Sequence, residues 1–75
     1  MVTAYVMVKA NTGEADRLLD EIAAIDGVID AQIVAGDVDI IAKVDVDAPA
    51  DVKEIAATTI QNIAGVEDTE TYISM

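Results

Sequence analysis

One pattern occurs twice in this chain, 38 residues apart: Ile22-Ala-Ala-Ile25-Asp-Gly27-Val28-Ile-Asp30 returns as Ile60-Gln-Asn-Ile63-Ala-Gly65-Val66-Glu-Asp68. Each copy follows an alternating, strand-like run and a stretch with helical spacing, so two strand-helix-strand units fill the 75 residues from end to end. A βαββαβ order closes into one antiparallel sheet with two helices, and residues 1–75 are expected to form a single domain. A domain this small buries a small core, and oligomerisation commonly supplies the missing buried surface. An oligomer is therefore expected.

Residues 2–10 alternate, with Val2, Ala4, Val6, Val8 and Ala10 on the core side and Thr3, Tyr5, Met7 and Lys9 on the other. Asn11-Thr-Gly-Glu14 reads as a variant capping box before a helix whose apolar positions are Ala15, Leu18, Leu19, Ile22 and Ala23. Gly27 and Gly65, each followed by valine, read as left-handed caps past the two helices. Residues 28–35 and 38–46 are β-rich, and Gly36-Asp37 between them predicts a hairpin with positive φ at the glycine. Pro49 fits the first turn of the second helix, whose buried stripe is read as Val52, Ile55, Ala56, Thr59, Ile60 and Ile63. Residues 66–74 complete the sheet. The fold class is a ferredoxin-like α+β sandwich, a four-stranded antiparallel sheet with both helices on one face. The open face is expected to carry Tyr5, Met7, Val34, Ile41 and Tyr72 among Gln32 and Lys43. A half-apolar face of that kind calls for a partner, and Tyr5, Met7, Ile41 and Tyr72 are read as a dimer interface formed sheet against sheet.

Composition excludes much chemistry. The chain has no cysteine and no histidine, and its one serine is Ser74. Disulfides, thiolate nucleophiles, imidazole bases and the usual transition-metal sites are removed together, and an enzyme is not expected. Fifteen acidic residues against four basic ones give a net charge of −11, which disfavours direct nucleic-acid binding. With 53% hydrophobic residues the chain is a folded body with an acidic skin. Such a skin suits a cytoplasm rich in potassium chloride, where salt screens self-repulsion, so a halophilic origin is expected. No apolar run approaches membrane-spanning length and no signal sequence opens the chain, which makes a cytoplasmic protein the expectation. Asp37 and Asp39 do not converge along the strand with Asp45 and Asp47, about 20 Å further on, so no metal site and no cofactor are expected.

At the hairpin and the last strand a family resemblance enters. Val34-Ala-Gly36-Asp37-Val38-Asp39-Ile40-Ile41-Ala-Lys43-Val44 resembles the "G-D-x-D followed by an apolar strand" signature of the Lrp/AsnC transcription regulators. Ile63-Ala-Gly65-Val66-Glu-Asp-Thr69-Glu-Thr71-Tyr72-Ile73 resembles that family's terminal "G-V-x-x-T-x-T-x-I" strand. Order and spacing agree, and the resemblance spans nearly the whole chain, corresponding to the RAM domain that binds effectors and oligomerises. Family members usually carry a helix-turn-helix ahead of this domain, whereas here the first strand follows Met1 directly. The resemblance thus implies a stand-alone, haloarchaeal-type RAM domain that senses a small effector, an amino acid, or co-assembles with full-length relatives.

Carried over position by position, the resemblance selects Gly36, Asp37 and Asp39 in the hairpin with Thr69 and Thr71 in the last strand as ligand-binding residues. The glycine would let backbone N–H groups approach a carboxylate, an aspartate would pair with an α-ammonium, and threonine hydroxyls would bond either group. No arginine lies nearby in sequence to clamp the α-carboxylate. Plainer readings stand beside these: turn chemistry for Gly36 and Asp37, solvation for Asp39, strand packing for the threonines, whose side of the sheet the sequence leaves open. Two other classes also stay open, a ligand-free assembly module and a small dimeric, cofactor-independent enzyme, the latter poorly served by a chain with two tyrosines and no Phe, Trp or His. An ACT-type amino-acid sensor shares the fold plan but keeps its glycine in the first strand-to-helix loop, where this chain has Asn11-Thr-Gly13.

Overall fold

The alternation of the first and third strands becomes the floor of the core. The computed structural model describes all 75 residues: β1 Val2–Ala10, α1 Ala15–Ala23, β2 Val28–Ile33, β3 Ile40–Val46, α2 Pro49–Lys53 with a π-helical continuation Glu54–Ile60, and β4 Val66–Ile73. The strands lie in the order β2-β3-β1-β4, every neighbouring pair antiparallel. This is the ferredoxin-like α+β fold. Ala4, Val6 and Val8 of β1 and Ile40, Ala42 and Val44 of β3 are fully buried beneath Leu18 and Ile22 of α1 and Val52, Ile55, Ala56 and Ile60 of the second helix. No polar or charged residue is buried. Each fully buried Val, Leu or Ile is worth roughly 1.5–3 kcal/mol relative to exposure, so this single apolar layer carries most of the stabilisation available to so short a chain.

The repeated segment folds identically in both copies, although not as a helix cap. The Ile25 N–H donates to the Ile22 carbonyl at 3.1 Å and the Val28 N–H to the Ile25 carbonyl at 3.1 Å; Ile63 to Ile60 at 3.0 Å and Val66 to Ile63 at 3.2 Å repeat the pair. Gly27 (φ 98°) and Gly65 (φ 101°) are the third residues of the second turn in each copy, where a positive φ is required. α1 has already ended at Ala23, so Gly27 directs entry into β2 instead of closing the helix. The capping box is not formed either. Asn11 accepts the Glu14 N–H through its backbone carbonyl at 3.1 Å, closing a turn with Gly13 at φ 81°, and no side chain caps α1.

The link between β2 and β3 is longer than a two-residue hairpin. It spans residues 34–39: the Val34 N–H donates across the link to the Asp39 carbonyl (2.8 Å), while the Asp39 N–H turns away to the Val8 carbonyl of β1 (3.0 Å). Gly36 does not have positive φ, and a Cβ there would meet nothing within 4 Å. In the second helix Pro49 occupies the first turn as expected. The widened π turns, however, carry Thr59 out to solvent, its hydroxyl near the Glu54 carbonyl at 3.4 Å, while Ile63 is half-buried. The two ends of the chain meet where the Ser74 N–H donates to the Thr3 carbonyl at 2.8 Å. No helix is long and apolar enough to cross a membrane.

Candidate ligand site on the open face

Strand register settles which side each candidate residue occupies. Thr69, Thr71 and Ile73 lie opposite Val8, Val6 and Ala4, and directly paired residues share a face, so the threonines belong to the helix side. Asp68, Glu70 and Tyr72 lie opposite Lys9, Met7 and Tyr5 and belong to the open side. The open face accordingly holds Tyr5 (37% exposed), Met7, Ile41, Lys43 and Tyr72 (53% exposed), the mixed surface expected.

At the end of that face nearest the β2–β3 link lies a cavity of about 220 Å³ walled by Met7, Lys9, Asp37, Val38, Asp68, Thr69 and Glu70. It falls below the roughly 300–1,000 Å³ usual for drug-sized ligands. Two of the five residues selected from sequence, Asp37 and Thr69, meet here. The Thr69 hydroxyl is engaged on the helix side by the Gln61 side-chain amide at 2.8 Å, so this residue contributes wall more than a donor. Thr71 is elsewhere, in a groove of about 240 Å³ between β4 and the second helix with Pro49, Val52, Lys53, Ala56, Ala57 and Ile73. Asp39 is half-buried and structural: its carboxylate accepts the Ala10 N–H at 2.8 Å while its backbone fastens the link to β1. Gly36 is exposed at the tip and touches neither cavity.

Lys9, which the sequence reading did not select, also lines this cavity. It faces Asp68 across the strands, yet its amine makes no ion pair; the two ion pairs of the molecule both belong to Arg17, with Glu14 at 2.9 Å and Glu21 at 2.5 Å. Alternation alone puts Lys9 on the open face, but its neighbours in β4 are set by the β1–β4 register, which runs regularly through Lys9–Asp68 and shifts only beyond it, and no local pattern announces that register. Around it, one Asp68 oxygen accepts the Thr69 N–H at 2.9 Å, and the Tyr72 hydroxyl donates to one Glu70 oxygen. That bond to Glu70 also raises the Tyr72 pKa above its ordinary value, since ionised tyrosine would face a carboxylate with no proton to give.

Two other concavities differ in chemistry. A cleft of about 450 Å³ at the opposite end is rimmed by Asp26, Asp45, Asp47, Asp51 and Glu54 with no cation, a setting that repels any ligand bearing a carboxylate. Asp45 and Asp47 thus line a different concavity from Asp37. The other, about 240 Å³, lies in the middle of the open face among Tyr5, Asp30, Gln32, Val34, Ile41 and Lys43, and is mostly apolar.

The chain is thus a small α+β domain, a four-stranded sandwich with a polar, mixed-charge cavity at one end of its uncovered face. The model of the Lrp/AsnC ligand binding domain matches residues 3–75, and the chain belongs to that family of transcription-regulator domains, which is not a family of enzymes. No curated protein matches the chain by sequence. Among solved structures it is similar to TTHA0845 from Thermus thermophilus (27% identity, TM-score 0.96, covering 100% of this chain and 94% of that one). It is also similar to FFRP-DM1 (27% identity, TM-score 0.93, complete coverage of both chains). The transcriptional regulator NMB0573 of Neisseria meningitidis, solved as a complex with L-Met, shares the fold at 13% identity and TM-score 0.85; the match covers 99% of this chain and 49% of that one.

Proposed function

We propose that residues 1–75 act as an amino-acid-binding, self-assembling regulatory domain, taking its effector in the cavity between Lys9 and Asp37. The carrying observation is that this cavity, in a member of a ligand-binding family, presents charges of both signs at once. A zwitterion needs an anion for its α-ammonium and a cation for its α-carboxylate. Asp37 offers the first, and Lys9 supplies the second, in place of the arginine that the sequence lacks nearby. The L-Met complex of the Neisseria regulator supports an amino acid as the class of effector.

Assembly follows from the same face. Tyr5, Met7, Ile41 and Tyr72 form its apolar part and pair with the same four residues of a second copy, and dimers or larger rings present the domain to full-length regulators of the family. The protein works in the cytoplasm of a halophile, where salt screens its charge of −11. A thermal-shift screen of the twenty amino acids in concentrated KCl tests the binding reading: a ligand at about 100 times its Kd stabilises by about 2.7 kcal/mol, and each kcal/mol moves the midpoint of a domain of this size by about 4–8 °C. A selective shift that disappears in Lys9→Met and Asp37→Asn supports it, and a flat panel refutes it. Tyr5→Asp tests assembly separately: a fall in mass by light scattering supports the sheet-to-sheet dimer, and an unchanged mass refutes it. A flat panel with Tyr5→Asp dissociating the oligomer leaves the second reading, a ligand-free assembly module, which the exposed tyrosines favour.

A further inference from the structure

We propose that the outer edge of β2 is a second self-association surface, on which two copies of this chain pair their β2 strands antiparallel about a two-fold axis at Gln32. The inference goes beyond the sheet-to-sheet dimer and does not depend on it, since it uses the rim of the sheet and not the open face. With the strand order β2-β3-β1-β4, both β2 and β4 are edge strands. They differ in what they present to a second copy. β4 carries Glu67, Asp68 and Glu70, and a two-fold at Thr69 would set Asp68 beside Glu70 of the second copy; charges of this kind keep a sheet edge from pairing. β2 has one acidic residue, Asp30, which stands across from Lys43 and accepts the Gln32 side-chain amide at 3.1 Å. It also carries two isoleucines that the single chain leaves largely in water, Ile29 (56% exposed) and Ile33 (45%). In a chain of charge −11, β2 is the edge that a second copy repels least.

The backbone fixes the register. Because the Val34 N–H donates to the Asp39 carbonyl, Val34 turns its polar groups toward β3; by alternation Gln32 and Asp30 do the same, and Ala31 and Ile33 turn theirs outward. A two-fold at Gln32 sets Ala31 opposite Ile33 of the second copy, so these outward N–H and C=O groups match one another. Asp30 then lies opposite Val34, and no carboxylate meets another across the pair. The register shift between Val28 and Asp30 bends the start of the strand, which confines pairing to residues 30–34. On the helix side α1 adds apolar surface. Arg17 reaches the Ala64 carbonyl, so its flank of α1 faces the second helix; Leu19 and Ala23, roughly 200–240° further round, face the β2 side. Asp16 and Asp20 lie beyond that flank, and concentrated KCl screens them.

A chain without cysteine makes the register directly testable. Residues opposed in a non-hydrogen-bonded antiparallel pair have Cα atoms about 4.5 Å apart, within the range of a disulfide. Gln32→Cys is expected to form a covalent dimer on mild oxidation about tenfold or more faster than Thr58→Cys on the exposed helix surface, both in the parent and in Tyr5→Asp. Ala31→Pro removes an outward N–H without touching the ladder to β3, and Ile33→Lys places a charge on the edge. Each is expected to lower the mass seen by light scattering in concentrated KCl about twofold. Far-UV circular dichroism matching the parent separates lost pairing from lost folding, and Ile33→Lys carries the test if Ala31→Pro does not fold. A monomeric parent, an unchanged mass in the edge variants, or Gln32→Cys reacting no faster than Thr58→Cys overturns the inference. Linking in the parent but not in Tyr5→Asp overturns it too, because the open face then brings the cysteines together. A mass that falls in the edge variants and not in Tyr5→Asp upholds the β2 pair and refutes the sheet-to-sheet dimer.

Discussion

The turns at Gly27 and Gly65 have the same local sequence logic, the same two hydrogen bonds and nearly the same φ, yet they are packed by different parts of the molecule. A Cβ built on Gly27 would lie 2.7 Å from Ile55 Cδ1 and 3.1 Å from Val46 Cγ1, both belonging to the apolar layer. On Gly65 it would lie 2.6 Å from an Arg17 guanidinium nitrogen, which donates to the Ala64 carbonyl at 2.6 Å from the solvent side. The first turn is sealed by the core and the second by one polar strap. A repeat in sequence therefore fixes a repeated backbone, while the environment that makes each glycine costly to replace is set by the other half of the chain.

The sharpest way to break the equivalence is Gly27→Ala. Positive φ costs about 1–2 kcal/mol for a residue with a Cβ, and crowding a packed isoleucine adds about as much, so a loss of about 2–4 kcal/mol in chemical denaturation is expected. Gly65→Ala carries the same backbone cost, but its obstacle is the end of an exposed, flexible side chain that can swing away, and about 1–2 kcal/mol is expected. Arg17→Met should lower the thermal midpoint slightly at low salt and less in concentrated KCl, as exposed ion pairs do. Its combination with Gly65→Ala should lose less than the two single changes together, because both remove the strap to Ala64. Gly36→Ala is the smallest effect: without positive φ or a neighbour, it should fall within about 0.5 kcal/mol of the parent. A large loss at Gly36, or equal losses at Gly27 and Gly65, would show that local turn chemistry outweighs packing here.

What could be read in the sequence is what depends on period. The alternation of Val6 and Val8 with Tyr5 and Met7, and of Ile40, Ala42 and Val44 with Ile41 and Lys43, set both faces of the central strands. Properties decided by distant hydrogen bonds were not legible. Asp39 looks like a strand residue or a ligand until Val8, Ala10 and Val34 are seen to occupy its polar groups. Asn11 satisfies the pattern of a capping side chain, but its backbone carbonyl takes the bond. Thr59 falls on the apolar stripe of a regular α-helix and leaves it only because the π turns shift the phase. In the candidate site, Asp37 carried a local signature. Lys9 did not, since its role depends on which residues of β4 stand beside it.

The bond between Ser74 and Thr3 also bears on how this fold is handled as a building unit. Chain entry and exit are stitched together where the central strand β1 meets the edge strand β4, so the path through the domain begins and finishes at one point of its surface. A short linker joining residues 1 and 75 would close the chain into a ring without bending the sheet, and new ends could then be opened in the exposed stretch at residues 35–37 or elsewhere. The same closeness lets the whole domain sit inside a loop of another protein as an insert, its sheet edge serving as the hinge, with dyes on the two ends remaining within close transfer distance until β4 peels away.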